Sequence, residues 1–344
     1  MITPQTMDTG KGGRTILDAE KARVEFVATP SVREALSRIG RTEDARFSPD
    51  NRKLAITGFA KNTCLIFDIE VDRSGPRPVV RLQDCLEIRS RRFCGPHGIE
   101  FIGGDRLLVA NRGGRISLFA MPERPAEGGV VDAEPLHEVS RIGFLRRLNS
   151  PGSLCVLSAS DDQAEILVCN NYTHRISRHV LPLRAGACEP YDEVFLNKGF
   201  RIPDGIAINA DQSWLAVSNH DTHSVLMFGL NAALTPATRA VGELTGVNYP
   251  HGLRFSADGS RLFVADAGAR FVHVYEADDT GGWCGERAPV RSVLALSEET
   301  YLKGRTNPQE GGPKGVDLTT AGDLMVITCH EEPLAFFHLP ELLG

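Results

Sequence analysis

Hydrophobic and polar residues alternate in short runs along most of this chain, and turns rich in Gly, Asn and Asp separate the runs. The clearest example is residues 250–276, PHGLRFSADGSRLFVADAGARFVHVYE, where the turns SADG and DAG join three short hydrophobic runs. Period-two alternation between such turns is typical of an antiparallel meander. This stretch therefore predicts three consecutive antiparallel strands.

The same pattern begins near residues 44, 96, 151, 203, 250 and 313. Its spacing is roughly 45 to 65 residues, which is typical of the blades of a propeller. We therefore expect an all-β fold, a six-bladed β-propeller with four-stranded antiparallel blades, in a single domain over residues 22–344. The fourth strand of blade two is expected near residues 130–139.

The chain before the first repeat predicts how the ring closes. Residues 1–21 are polar and without periodicity, which indicates a flexible arm. Residues 23–29 alternate like one isolated strand, and residues 32–39 are compatible with a helix. The last repeat has room for only three strands, so we expect residues 23–29 to supply the outermost strand of blade six, which would protect the edges of the sheets.

Composition narrows the classes of partner. The chain has 38 Lys and Arg against 44 Asp and Glu, a net charge of −6, which argues against nucleic-acid or anionic-membrane partners bound by bulk charge. There is no apolar run of transmembrane length and no apolar core of a signal peptide near the N-terminus, so we expect a cytoplasmic protein. The eight cysteines include no CxxC pair and are expected to be buried thiols.

The meander geometry brings certain positions of every blade to one mouth of the central channel. The first strand of a blade starts there and the second, antiparallel strand ends there. The residues before the first-strand glycine are predicted metal ligands, namely His97, His251, Asp204 and Asp44. Imidazole and carboxylate ligands suit a divalent ion such as Zn, Fe or Mn, whereas an all-oxygen set would suit Ca; no organic cofactor is expected.

Further side chains at the same mouth are candidates for acid, base or substrate contacts. Three residues are predicted to act as acid, base or substrate clamp: His220, His330 and Lys314. Four more are predicted to orient polar substrate groups: Asn111, Asn171, Asn219 and Asp266. For Asn111 and Asp266 the alternative is turn chemistry, because Asn and Asp bond the backbone at strand ends. Lys314 can instead pair with Glu310 or with a carboxylate of the mouth.

The blade opening P-x-G-hydrophobic-x-hydrophobic, as in PHGIEF, PDGIAI and PHGLRF, resembles that of the NHL-repeat and gluconolactonase-like superfamily of six-bladed propellers. In gluconolactonase-type enzymes, the resemblance implies that acidic residues at blade openings bind the metal, and Asp44 and Asp204 match. In peptidyl-hydroxyglycine amidating lyases, histidines of P-H-small openings bind zinc. His97 and His251 match that form, whereas Lys314 occupies one opening instead of a third histidine.

Two classes of function remain open. The first is a metal-dependent enzyme acting on a small molecule in the channel mouth, most economically by hydrolysis of a lactone or ester, with a lyase reaction as the alternative. The second is a binding module without chemistry, for a protein, peptide or sugar partner. The polar segment 297–312 between blades five and six can be a lid in the first case or a contact loop in the second.

Overall fold

The computed structural model describes residues 15–123, 129–144, 146–184 and 186–344. About half of the described residues, 49%, are strand, arranged as six small antiparallel sheets in a ring, so the predicted six-bladed β-propeller is confirmed. The inner strands of successive blades contact one another all the way round, and blade six contacts blade one.

The strands form where the hydrophobic alternation predicts them. In blade five the turn between the first two strands is held by Ser256 and Asp258, whose side chains hydrogen-bond to each other, and Gly259 takes a φ of +70°. Such a conformation is readily adopted by glycine, which has no Cβ. A local turn of this kind sets the register of the two flanking strands.

Each blade is described from the channel outward. The strands of blade one are Thr42–Phe47, Lys53–Gly58, Thr63–Asp72 and Val79–Arg89. Those of blade two are Pro96–Ile102, Arg106–Asn111, Arg115–Ala120 and His137–Val139. Those of blade three are Pro151–Ala159, Gln163–Asn170, Arg175–Pro182 and Tyr191–Leu196.

The second half of the ring follows the same plan. The strands of blade four are Pro203–Ile208, Trp214–Asn219, Ser224–Gly229 and Gly242–Leu244. Those of blade five are Pro250–Phe255, Arg261–Asp266, Phe271–Glu276 and Arg291–Leu294. Blade six has Val316–Leu318, Leu324–Ile327, Ala335–His338 and, from the N-terminal part of the chain, Arg23–Val24.

The N-terminal segment closes the ring in three places. Arg23–Val24 pairs antiparallel with Ala335–His338, which confirms the predicted outermost strand of blade six. Phe26–Ala28 instead pairs in parallel with Val79–Arg89 of blade one, so the stretch predicted as one strand is shared between two blades. Thr15–Asp18 pairs in parallel with Arg291–Leu294 of blade five. This corrects the arm expected at 1–21, of which residues 1–14 lie outside the described residues.

Other connections also extend the outer edges of neighbouring sheets. Val130–Asp132, expected in the fourth strand of blade two, pairs in parallel with blade one, and only His137–Val139 completes blade two. Gly285–Arg287 pairs in parallel with the outer strand of blade four. A short hairpin, Arg141–Ile142 with Arg146–Arg147, precedes blade three. These additions leave fewer unpaired outer edges.

Helices are short and peripheral. The α-helices are Pro30–Ile39, Glu298–Gly304 and Leu339–Leu343, and 3₁₀ turns cover Ala19–Ala22, Asn171–Thr173 and His220–Thr222. The first helix, expected near 32–39, starts at Thr29, whose hydroxyl accepts a hydrogen bond from the N–H of Val32 at 3.4 Å. None of the helices in the described part of the chain is both long and apolar enough to cross a bilayer.

Candidate metal centre at the channel mouth

A β-bulge lies at the start of the inner strand in blades one to five and positions the residues beside it. In blade one Thr42 pairs with Gly58 and Ala45 pairs with Ile56, so the inner strand carries one extra residue between the two pairs. Blades two to five show the same register shift after their opening proline. A bulge re-aims the side chains beside it, and it recurs here at the mouth end of each of these strands.

The second residue of the bulge is glycine in blades two, four and five, and Gly315 follows the opening Pro-Lys of blade six at the equivalent position, because neighbouring inner strands approach closely there. A Cβ on Gly205 would lie 2.0 Å from the carbonyl oxygen of His251, and one on Gly252 would lie 2.5 Å from that of Lys314. The glycines therefore allow the tight ring in which the first bulge residues meet. Those six residues are Glu43, His97, Gly152, Asp204, His251 and Lys314.

The blade-one member of this ring is Glu43, which the sequence prediction missed in favour of Asp44. Asp44 takes the place that glycine has in the other blades, and its carboxylate accepts hydrogen bonds from the N–H groups of Ala45 and Ile99 and pairs with Arg46 at 3.1 Å. Burial raises the pKa of Asp44 to about 6. The structure thus places Asp44 between blades, outside the metal cluster. Aligning TEDARF with PHGIEF on their shared final phenylalanine would have identified Glu43.

Three buried side chains offer ligand atoms to one point. Oε2 of Glu43 lies 3.4 Å from Nε2 of His97 and 3.6 Å from Nε2 of His251. Oδ2 of Asp204 lies 3.4 Å from the same Nε2 of His251. Ligands about 2.1 Å from a tetrahedral metal ion are separated by about 3.4 Å, from the geometry of zinc sites. These three distances are close to the spacing between ligands of a tetrahedral ion. Glu43, His97 and His251 form one cluster whose ligand atoms all lie within 4.8 Å of one another, and Asp204 lies beside that cluster.

Hydrogen bonds fix the tautomer of both imidazoles. Nδ1–H of His97 donates to the carbonyl oxygen of Gly152 at 2.7 Å, and Nδ1–H of His251 donates to that of Lys314 at 3.2 Å. Each bond leaves the lone pair of Nε2 facing the cluster, as in metal-binding histidines, whose other nitrogen usually donates to a carbonyl or carboxylate. Burial lowers the pKa of His97 well below its usual value and that of His251 to about 4, so both rings are neutral at pH 7.

Cations surround the Glu43 carboxylate. Burial alone would raise its pKa, but the cations Lys314 and Arg41 outweigh that effect and hold the pKa below its usual range. Nζ of Lys314 lies 3.0 Å from Glu43 and 2.8 Å from Glu310, so the predicted pairing of Lys314 is present with both partners. Arg41 pairs with the same two carboxylates. Glu310 belongs to the 297–312 segment, which therefore reaches into the mouth.

Asp204 has its own set of donors. Nη2 of Arg112 lies 3.0 Å and Nδ2 of Asn171 lies 2.9 Å from Oδ1 of Asp204. Burial opposes ionisation, but the Arg112 guanidinium outweighs it and holds the pKa of Asp204 well below its usual value. Arg112 also donates to Nε2 of His97 at 2.8 Å, a bond that a metal on His97 would replace. His220, also predicted at the mouth, lies 4.0 Å from Asp204.

Three of the predicted substrate contacts hold turns. Asn111, Asn219 and Asp266 are the last residues of the second strands of their blades, and their side-chain oxygens accept backbone hydrogen bonds. Each accepts the N–H of the residue two positions before the opening proline, namely Cys94, Arg201 and Asn248 respectively. This placement agrees with the turn chemistry given as the alternative for Asn111 and Asp266, and Asn219 makes the same kind of backbone hydrogen bond.

The next residue along the chain is the one that reaches the mouth. In blades one to four it is Phe59, Arg112, Asn171 and His220, all of which contact the mouth cavity. The sequence prediction named Asn111 and missed Arg112, the residue that follows it. The sequence signal for these mouth residues is their position, because each directly follows the Gly or Asn that ends the second strand of its blade.

His330 lies apart from the others. It lines a different groove, with Phe26, Arg33 and Leu36, and its nearest carboxylate is Glu331 at 3.9 Å. The turn that carries it is tied to blade one, because Thr42 donates its hydroxyl to the carbonyl oxygen of Cys329. The structure therefore does not bring His330 to the predicted site.

The mouth is a cavity of about 430 Å³. Its walls combine the charged groups above with apolar surface from Phe59, Tyr172 and Ile202. Beyond the mouth, a buried salt-bridged layer of Arg46, Glu100, Arg254 and Asp317 joins blades one, two, five and six. The cavity is thus of the size that small ligands occupy.

No family model matches this chain, and no curated protein matches it. The resemblance to the gluconolactonase-like superfamily therefore rests on the blade pattern and the propeller fold.

Proposed function

We propose that the mouth cavity binds one divalent transition-metal ion and that the protein is a metal-dependent hydrolase of a small lactone or ester. The observation that carries the proposal is the meeting of Oε2 of Glu43 with the two Nε2 atoms of His97 and His251 at 3.4 and 3.6 Å. Asp204 borders this cluster, with Oδ2 at 3.4 Å from Nε2 of His251, and is proposed as a further ligand. Two imidazoles favour Zn, Fe or Mn over Ca, which prefers oxygen.

The bound ion would supply Lewis acidity toward a carbonyl oxygen or a water molecule. The chain's own residues would bind and orient the substrate. Arg112 and Asn171 line the cavity with N–H donors, while Phe59 and Ile202 offer apolar contact. His220 donates Nδ1–H to the carbonyl oxygen of Pro250 at 3.2 Å, which leaves Nε2 to accept or return a proton.

The test is metal analysis of purified protein by plasma mass spectrometry, before and after reconstitution with Zn, Mn or Fe. We expect one ion per chain in the wild type and loss of that ion in the double variant His97→Ala/His251→Ala. The control is His137→Ala, which changes a histidine on the outer strand of blade two. A panel of lactones and esters then tests hydrolysis, and elimination products would instead indicate a lyase. Absence of metal in reconstituted wild type contradicts the proposal.

A second candidate follows from the charges of the cavity. The carboxylates of Glu43, Asp204 and Glu310 are matched by the cations Lys314, Arg41 and Arg112 without any metal. A cavity whose positive and negative side chains neutralise one another is suited to a binding module that holds a polar small molecule. This candidate predicts ligand binding that a chelator leaves unchanged.

A further inference from the structure

A second concave surface, the basic groove, lies on the rim of blades three and four. It has a volume of about 580 Å³ and is lined by Arg146, Arg175, Lys198, His174, Thr173 and Asn197, together with Val194 and Pro236. Three of these side chains are cationic and none is a carboxylate. The chain as a whole has a net charge of −6, whereas the charged side chains that line this groove are all positive.

Within the described ranges, the three cations of the basic groove have no acidic partner. Among the described residues, no carboxylate lies within salt-bridge distance of Arg146, Arg175 or Lys198, whereas nearby Arg178 pairs with both Glu165 and Glu193. Nε of Arg175 donates only to the carbonyl oxygen of Thr173, at 3.1 Å. Burial and the neighbouring Arg146 lower the pKa of Arg175, as expected for two guanidinium groups that face each other without an anion between them.

The uncharged groups of the groove add further donors. Nδ1 of His174 accepts the N–H of Ile202 at 3.0 Å, so its neutral ring carries the proton on Nε2. The hydroxyl of Thr173 is buried without a hydrogen-bond partner. A buried polar group left unpaired is uncommon and is often explained by an absent water, ion or ligand. Asn197 contributes an amide to the same lining.

We propose that the basic groove binds the phosphoryl group, or a comparable dianionic group, of a small molecule. Two guanidinium groups and an ammonium match the charge and the planar, forked geometry by which such oxyanions are recognised. The turn Asn171–Thr173 forms the boundary between the groove and the mouth cavity, since Tyr172 lines the cavity and Thr173 lines the groove. The proposal does not depend on the metal centre.

The test is calorimetric titration of metal-free protein with inorganic phosphate and pyrophosphate, with chloride replacing them at constant ionic strength. We expect saturable binding, stronger for pyrophosphate, and at least about ten-fold weaker binding in Arg146→Gln and in Arg175→Gln, since each loses a charge-assisted hydrogen bond. The control is Arg261→Gln, which changes an arginine paired with Glu276 in blade five and should bind as the wild type does. Unfolding midpoints without phosphate verify that each variant is folded.

Two results would overturn the proposal. One is the absence of saturable phosphate or pyrophosphate binding in the wild type. The other is binding that Arg112→Gln abolishes while Arg175→Gln leaves it intact, because the anion would then occupy the mouth cavity.

Discussion

The ammonium group of Lys314 supplies positive charge to the Glu43 carboxylate, as a bound metal ion would. Its ammonium group lies 3.0 Å from Oε2 of Glu43, the atom that also faces the two imidazoles. A divalent ion at the cluster and a protonated lysine beside it repel each other strongly in a buried setting. Glu310, at 2.8 Å, gives Lys314 a second partner that remains when a metal takes Glu43.

We therefore expect Lys314→Met to have two opposite effects. The metal-free variant should lose about 3 kcal/mol of unfolding free energy, because the buried carboxylates of Glu43 and Glu310 then keep only Arg41 as a cationic partner among the described residues. Its metal affinity should rise about ten-fold or more, since a competing cation is gone. Chemical denaturation and competition with a chromogenic chelator measure the two effects. Lys303→Met, an exposed lysine paired with Glu331, is the control; weaker metal binding in the Lys314 variant would contradict this account.

Asp266 illustrates a residue whose chemistry is structural. It accepts the N–H groups of Asn248 and Tyr249 and Nε2–H of His273, at 2.7, 3.0 and 3.0 Å. Burial works against its ionisation, but His273 and the backbone donors outweigh burial and lower the pKa of Asp266. Because the folded-state pKa lies below the unfolded one, the ionised form adds stability at neutral pH and that contribution is lost as pH falls.

Asp266→Asn should accordingly cost about 1–3 kcal/mol at pH 7, and the difference from wild type should shrink as the pH falls below about 4. Urea denaturation at a series of pH values measures it. Asp279→Asn, a change at an exposed position, should be indistinguishable from wild type. A difference that stays constant down to acid pH would show that the carboxylate charge is not the stabilising feature.

The inner-strand bulge is the element that makes the site. One extra residue directs Glu43, His97, Asp204 and His251 toward the mouth in blades one, two, four and five, and in the last three the following glycine lets adjacent inner strands touch. The P-x-G signal that defines the repeat in the sequence is therefore the same feature that builds the cavity. Its absence in blade one explains why Asp44 was chosen over Glu43.

Gly205→Ala tests the bulge, because a Cβ there would meet the carbonyl oxygen of His251 at 2.0 Å. We expect a loss of about 1–3 kcal/mol or more from overpacking, together with weaker metal binding through displacement of His251. Gly229→Ala, in the same blade and with no atom within 4 Å of the added Cβ, is the matched control. Equal stability of the two variants would show that the inner strands can separate without cost.

At the scale of the whole molecule, the N-terminal segment holds three blades together. Thr15–Asp18 extends blade five, Arg23–Val24 completes blade six and Phe26–Ala28 extends blade one. Between them Ala19 and Ala22 are buried in the same core as Leu339 and Leu342. Closure of the ring therefore involves three strand pairings of the N-terminal segment, one each with blades five, six and one.

A variant beginning at residue 26 should be less stable than one beginning at residue 15 by about 3 kcal/mol or more, given the buried Val24 and the lost strand pairings. Thermal unfolding of the two purified variants measures the difference. Because both lack residues 1–14, the comparison depends only on residues 15–25. Identical midpoints would show that Ala335–His338, the third strand of blade six, is stable without Arg23–Val24 paired beside it.

Local signals in the sequence determined much of this protein. Alternation and turn residues are short-range features, so strand positions, blade number and the antiparallel closing strand at Arg23–Val24 followed from them. The placement of His97, His251, Asp204, Lys314 and His220 at one mouth also followed, because strand direction alone decides which strand ends meet.

The tertiary structure alone decided what depends on contacts between distant segments. Thr15–Asp18 is too short to be identified without its partner strand in blade five. Glu310 enters the mouth from an insertion, and Arg112 of blade two bridges His97 of its own blade and Asp204 of blade four. The neutral tautomers of His97 and His251 depend on carbonyl groups of the neighbouring blade. Such interactions have no local pattern, because they arise only when the ring brings six separate strands to one axis.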